Sequence, residues 1–142
     1  PPLGHGSLNM LDHLGLTSAD LARSKTFFLQ ALAPLQIGVV MEVTAEQTGA
    51  HDHIGFGSDG KPFFWLGNGG TASHGVHVAF ACASRAQVDA FPAAALAAGG
   101  RDNGAPGLRP WYHPDYYGAF VLDPDGNNIE AVCHRPVSEV AA

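Results

Sequence analysis

The sequence predicts an α+β fold: two βαβββ modules whose mixed sheets curl into one cup. Three features point to it. The chain has 142 residues and is 46% hydrophobic, enough for one domain with its own core. Strand-like alternation and helix-like spacing follow one another in the same order in both halves. The halves also share a register, since a shift of 64 residues lays His13 on His77, Phe27 on Phe91 and Leu32 on Leu96.

The first module is expected over about residues 10–68. Met10 to Thr17 alternates, with Asp12, Leu14 and Leu16 on one face and Leu11, His13 and Gly15 on the other. Thr17 and Ser18 offer capping hydroxyls, and Leu21, Phe28 and Leu32 then recur at helical spacing up to Pro34. Strands are expected at "IGVVMEV", "HIGFGS" and "PFFWLGN", the last two joined across Asp59-Gly60, a hairpin dipeptide.

The second module, about 73–136, repeats the order. "GVHVAFAC" reads as a strand, and Ser84 opens a helix that Gly99-Gly100 closes. Strands follow near "RDNGAPG", "YYGAFVL" and "NNIEAVCH". Pro92 inside that helix removes a backbone donor and is expected to kink it. Toward the end of each half the shift becomes 66, so that Asp59-Gly60 falls on Asp125-Gly126 and Phe64 on Glu130. Residues 1–9 read as the remnant of an expression tag and 137–142 as a tail, leaving a single domain over 10–136.

Charge narrows the partners. Seven basic against thirteen acidic residues give a net charge of -6, which repels phosphate backbones and anionic lipid, so no nucleic acid and no membrane partner is expected. No apolar run approaches the roughly 20 residues of a membrane span. A cytoplasmic location and reduced thiols at Cys82 and Cys133 are the matching expectations.

The polar residues converge. His13 and His77 lie on the strand faces opposite the helix-packing residues, and Asn128, Glu130, Val132 and His134 share that face in the last strand. Two imidazoles and one carboxylate from three strands form a catalytic divalent-metal set that Zn, Fe, Mn or Ni would suit. A cation would also offset the desolvation of an inward glutamate. The plainer alternative pairs Glu130 with a basic group and leaves the histidines in a wet groove. His51 and His53 form a second imidazole pair, but no glutamate follows it in "IGFGS".

The segment "RPWYHPDYYGAF" concentrates aromatic residues before a strand that feeds the cup. It reads as a loop covering a small-molecule substrate, with His113 or Tyr116 as general acid or base beside Glu130. Arg109 would orient a substrate carboxylate, and Phe64, Trp65, Trp111, Tyr117 and Phe120 would contribute binding surface. The alternative is an aromatic surface that packs on a neighbouring subunit.

The stretches "LDHLGLTSADLARSKTFF", "HGVHVAF" and "FVLDPDGNNIEAV" resemble the vicinal oxygen chelate superfamily, which includes glyoxalase I, extradiol dioxygenases, fosfomycin-resistance transferases and bleomycin-resistance proteins. The resemblance implies the glyoxalase/bleomycin resistance/dioxygenase fold, a homodimer, and metal ligation by His13, His77 and Glu130. Departures bear on the reaction. Glyoxalase I has a fourth ligand where the repeat places Phe64, and extradiol dioxygenases commonly carry a tyrosine where Phe120 stands. The expectation is a metal-dependent enzyme with lyase or isomerase chemistry. An Fe(II) extradiol-type dioxygenase and a non-catalytic small-molecule binding or resistance protein are the alternatives.

Overall fold

A computed structural model describes residues 10–137; the segment read as a tag remnant and all of the tail beyond Val137 lie outside the described residues. The chain forms β1 (Leu14–Thr17), α1 (Leu21–Ala31), β2 (Gly38–Val43), a one-turn α2 (Ala45–Thr48), β3 (His53–Ser58) and β4 (Lys61–Gly67). The second half forms β5 (His77–Ala81), α3 (Arg85–Ala97), β6 (Arg101–Leu108), β7 (Tyr117–Leu122) and β8 (Asn128–Cys133). The two βαβββ modules are therefore present.

Each module builds its own four-stranded mixed sheet, in the orders β1-β4-β3-β2 and β5-β8-β7-β6. In both, the first strand lies at an edge and pairs in parallel with the last. The crossover that a parallel pair requires carries the helix. The sheets do not close on each other; the edge strands β1 and β5 flank a cavity of about 530 Å³ that reaches Phe64 and Phe80.

Helices α1 and α3 pack together on the apolar faces of the sheets, giving one continuous core. Phe27, Phe28, Phe64 and Phe91 are fully buried in it, and Phe64 meets Phe80 of the other module edge to face at 5.3 Å. Five such rings remove several hundred Å² of apolar surface from water, a substantial stabilising contribution.

Two local expectations are corrected. The first strand begins at Leu14 rather than Met10. Opposite the missing part, Pro62 brings no N–H and Phe63 is the extra residue of a bulge between the pairs Phe56–Phe64 and Gly57–Pro62, so the ladder stops. Helix α1 is capped by Asp20, which accepts from the Arg23 N–H, and not by Thr17 or Ser18. Ser18 instead accepts from the Asp20 N–H and bonds the Ser24 hydroxyl at 2.5 Å.

The bulge at Phe63 also changes the repeat. Gly15 pairs with Trp65 in the first module where Ala79 pairs with Glu130 in the second. Since Gly15 and Ala79 correspond, Trp65 and not Phe64 occupies the place of Glu130. The shift of 66 holds at the turns, but the extra residue reduces it by one in the strands.

Other details agree with the sequence. Asp59 and Gly60 both adopt positive φ, 52° and 75°, as the two-residue hairpin turn requires. Ser84 caps α3 by accepting from the Gln87 N–H. Cys82 and Cys133 are free thiols, and burial pushes the Cys82 thiol up to about 12.

Candidate functional site

The polar faces of the two sheets are the faces turned away from the helices. Along β5, Val78 and Phe80 are buried while His77, Ala79 and Ala81 are exposed, so His77 stands on the open face. Ala79 pairs with Glu130 and Phe120 pairs with Glu130 from the other side, so all three share that face. Strand pairing alone therefore brings His77, Glu130 and Phe120 together.

Glu130 is fully buried. Its Oε1 lies 2.7 Å from His77 Nε2, and its Oε2 accepts a short hydrogen bond from the Tyr116 hydroxyl. An imidazole and a phenol, rather than a Lys or Arg, thus take up the carboxylate. Burial, and then the carboxylate itself, push the Tyr116 phenol above its ordinary pKa, which favours the protonated, donating form.

Tyr116 reaches Glu130 because Gly118 intervenes. A Cβ at Gly118 would lie 3.0 Å from Glu130 Oε2 and 3.3 Å from Tyr116 Cε1. The ring of Tyr116 is in turn wedged among Tyr112, His113 and His134, with centroids 4.8, 5.6 and 5.1 Å away.

His113 meets His134 rather than Glu130, with its Nε2 2.6 Å from His134 Nδ1. The Asp115 N–H donates to His113 Nδ1, which leaves the ring proton on Nε2 as the donor to His134. His134, which the alternation places on the face of Glu130, meets His113 and Tyr116 there.

His13 stands apart, just before β1, with its Nδ1 2.8 Å from Asp12 Oδ2. Lys61 holds the other Asp12 oxygen at 2.6 Å. Lys61, and then His13, keep the Asp12 carboxyl below the usual carboxylate range. This carboxylate fixes the His13 tautomer and leaves Nε2 as the lone-pair nitrogen, a common arrangement behind a metal-binding imidazole. Among the described residues of one chain, no group of three or more His, Cys, Asp and Glu is placed to hold a metal. The single chain thus joins His77 to Glu130 and leaves His13 on the other module.

The remaining sequence-predicted residues divide. Trp65 lines a hollow of about 440 Å³ with His13, His53, Val43 and Thr48, and its ring covers Gly55, where a Cβ would meet it at 2.9 Å. Phe64 is a core residue under α1, in contact with Phe28. Tyr117 turns to the helix side, where its hydroxyl donates to Asp89 and Arg85 lies over its ring. Trp111 is 72% exposed and touches Tyr112. For Phe64 and Tyr117 the reason is the period of two: each is the neighbour of a residue on the open face and so points the other way. Arg109 lies over the Phe120 ring, 5.2 Å from its centre, and Phe120 is 6.1 Å from His77.

Residues 10–131 match the family model of the Glyoxalase/Bleomycin resistance protein/Dioxygenase superfamily. The chain belongs to that superfamily. A glyoxalase/bleomycin resistance protein from Albidiferax ferrireducens T118 is 34% identical, with a TM-score of 0.72 over 90% of this chain and 100% of that one. A point mutant of glyoxalase I from Zea mays is 21% identical, with a TM-score of 0.67 over 86% of this chain and 45% of that one, so this superfamily member spans less than half its length. A point mutant of the fosfomycin resistance protein FosX from Listeria monocytogenes, whose structure contains Mn(II) and 1S,2S-dihydroxypropylphosphonic acid, is 15% identical, with a TM-score of 0.64 over 93% of this chain and 95% of that one. These last two likenesses concern the fold alone. No curated, characterised protein matches the chain.

Within one chain His77 and Glu130 form a hydrogen-bonded pair, two donors of a kind that a divalent cation takes. His77 Nε2 and Glu130 Oε1 are 2.7 Å apart, close to the roughly 3 Å between adjacent ligands that each bind one ion at about 2.1 Å. The nitrogen-and-oxygen donor set suits a borderline first-row ion, and the buried carboxylate supplies compensating charge.

Proposed function

We propose that this superfamily member is a divalent-metal-dependent enzyme of lyase or isomerase type, acting on a small substrate that chelates through oxygen. His77 and Glu130 of one chain and His13 of a second chain would hold the ion in a homodimer. The observation that carries this reading is a fully buried Glu130 whose carboxylate faces an imidazole nitrogen at 2.7 Å. The separation of His13 from that pair supports a second chain, as do the open sheet edges at β1 and β5. FosX, of the same fold and described with Mn(II), supports a divalent ion; Zn, Fe, Mn and Ni all suit the donors.

The cation would supply Lewis acidity, stabilising negative charge that develops on a substrate oxygen. The chain's own residues prepare the site. Tyr116 holds Glu130 Oε2 and keeps its proton, which fixes the carboxylate's orientation. Asp12 fixes the tautomer of His13. Phe120 lies beside His77, with ring centres 6.1 Å apart, and would give the substrate an apolar surface there.

A second reading, an Fe(II) ring-cleaving dioxygenase, gains from one observation. Phe120 lacks a hydroxyl, but Tyr116 delivers a phenol to Glu130 from four residues earlier. A non-catalytic binding protein would use the same cup without turnover.

Elemental analysis of protein purified without chelator and supplemented with Zn, Mn, Ni or Fe(II) tests the proposal. It expects about one ion per chain, lost in His77→Ala and in Glu130→Ala. A wild-type chain that stays metal-free after supplementation defeats it.

A further inference from the structure

Arg109 is placed with unusual care for a residue that leaves a strand. Its backbone N–H donates to the Tyr116 carbonyl at 2.7 Å, closing the aromatic loop. Its side chain folds back along β6, where Nη1 donates to the Gly107 carbonyl at 2.8 Å and Nη2 to the Ala105 carbonyl at 2.7 Å. Two glycines clear the bed for it: a Cβ at Gly104 would approach Nη2 to 3.3 Å, and one at Gly107 would approach Nη1 to 3.2 Å. Phe120 forms the floor, with the guanidinium 5.2 Å from its ring centre.

These contacts fix the guanidinium without neutralising it. Two carbonyls and a ring face are polar or polarisable but carry no net charge, and a guanidinium has five N–H donors. Its charge is available to a ligand. Arg23, Lys25, Lys61 and Arg85, by contrast, all have carboxylate partners within 4.0 Å. The same Phe120 ring touches His77, so Arg109 and the His77–Glu130 pair flank one aromatic wall.

We infer that Arg109 is a binding residue for a carboxylate on the substrate, set on the far side of Phe120 from the oxygens that lie at His77 and Glu130. This deepens the proposed function and rests on it for the position of those oxygens. The substrate class is then a small acid with two adjacent oxygens at one end and a carboxylate at the other. A planar fork matches a carboxylate with two parallel hydrogen bonds; a phosphonate dianion would meet the same fork, but its second charge is left without a partner and is repelled more strongly by a chain of net charge -6.

Calorimetric titration with a matched pair of probes tests this. 2-Hydroxysuccinate and 2-hydroxybutanoate share the chelating end, and only the former has a distal carboxylate. The wild type with Mn(II) should prefer 2-hydroxysuccinate by about tenfold or more, as expected for a charge-assisted bidentate contact. Arg109→Gln should reduce the preference to within about twofold, and Arg109→Lys, which keeps charge but not the fork, should retain only part of it.

Equal affinity in the wild type, or an undiminished preference in Arg109→Gln, overturns the inference. If Arg109→Gln does not fold, Arg109→Lys decides, and an undiminished preference there overturns it. Tighter binding of 2-hydroxy-3-phosphonopropanoate than of 2-hydroxysuccinate overturns the carboxylate assignment. The two proposals fail separately. If Mn(II) does not bind but the preference exists and vanishes in Arg109→Gln, the metal reading falls and Arg109 stands; if Mn(II) binds and the preference is absent, Arg109 alone falls.

Discussion

Tyr116 bonds Glu130 across the bare backbone of Gly118, two residues further along the chain. The contact satisfies a fully buried carboxylate, and a Cβ at position 118 would crowd both partners, at 3.0 and 3.3 Å. Removing the hydroxyl in Tyr116→Phe leaves that oxygen without its donor, which should cost about 1–3 kcal/mol in denaturant unfolding. Gly118→Ala should produce a similar loss by forcing the ring and carboxylate apart. Wild-type stability in both variants would show that the contact contributes nothing.

Phe64 and Trp65 should respond oppositely to truncation. Phe64→Ala empties a fully buried site shared by both modules and should cost about 3–5 kcal/mol. Trp65→Ala should cost clearly less, because its ring lines an open hollow, while weakening whatever binds beside His13. Chemical denaturation of both variants checks the order; a larger loss for Trp65→Ala would reverse the assignment of faces.

The Asp12 carboxyl carries a pH signature. Its folded pKa is depressed below the ordinary value of 3.8, chiefly by Lys61. The stabilisation is therefore present above about 3.8 and is lost as the pH falls through the lower folded value. Lys61→Ala should bring the carboxyl back toward 3.8, as followed by NMR titration of its side-chain carbon. An unmoved titration would mean that the 2.6 Å ion pair does not persist in solution.

If the metal site spans two chains, variants should complement. His13→Ala and Glu130→Ala homodimers are each expected to lack a full ligand set. Mixing them and allowing exchange should restore one complete site in each heterodimer, about a quarter of wild-type metal for random pairing. No restoration, despite exchange demonstrated by mass spectrometry, would place all three ligands within one chain.

The alternation of β5 and β8 made His77 and Glu130 legible as neighbours, because a period of two fixes the face and parallel pairing of the first and last strands fixes adjacency. The same logic misplaced Phe64. A one-residue bulge at Phe63 leaves no mark in composition, yet it inverts which side chain faces the hollow. The alternation grouped Asp12 with Leu14 and Leu16 and gave no sign of its partners, Lys61, 49 residues away, and a histidine outside the strand.

The sequence by itself determined the two modules, their order of elements and the open face that bears His77 and Glu130, since these follow from periodicity and turn chemistry acting over a few residues. Only the tertiary structure decided that Tyr116 closes on Glu130, that Arg109 lies on Phe120, and that His13 is held away from the pair within one chain. Those relations depend on distances between segments far apart in sequence, which are set by packing of the shared core and by the places where two neighbouring strands lose step.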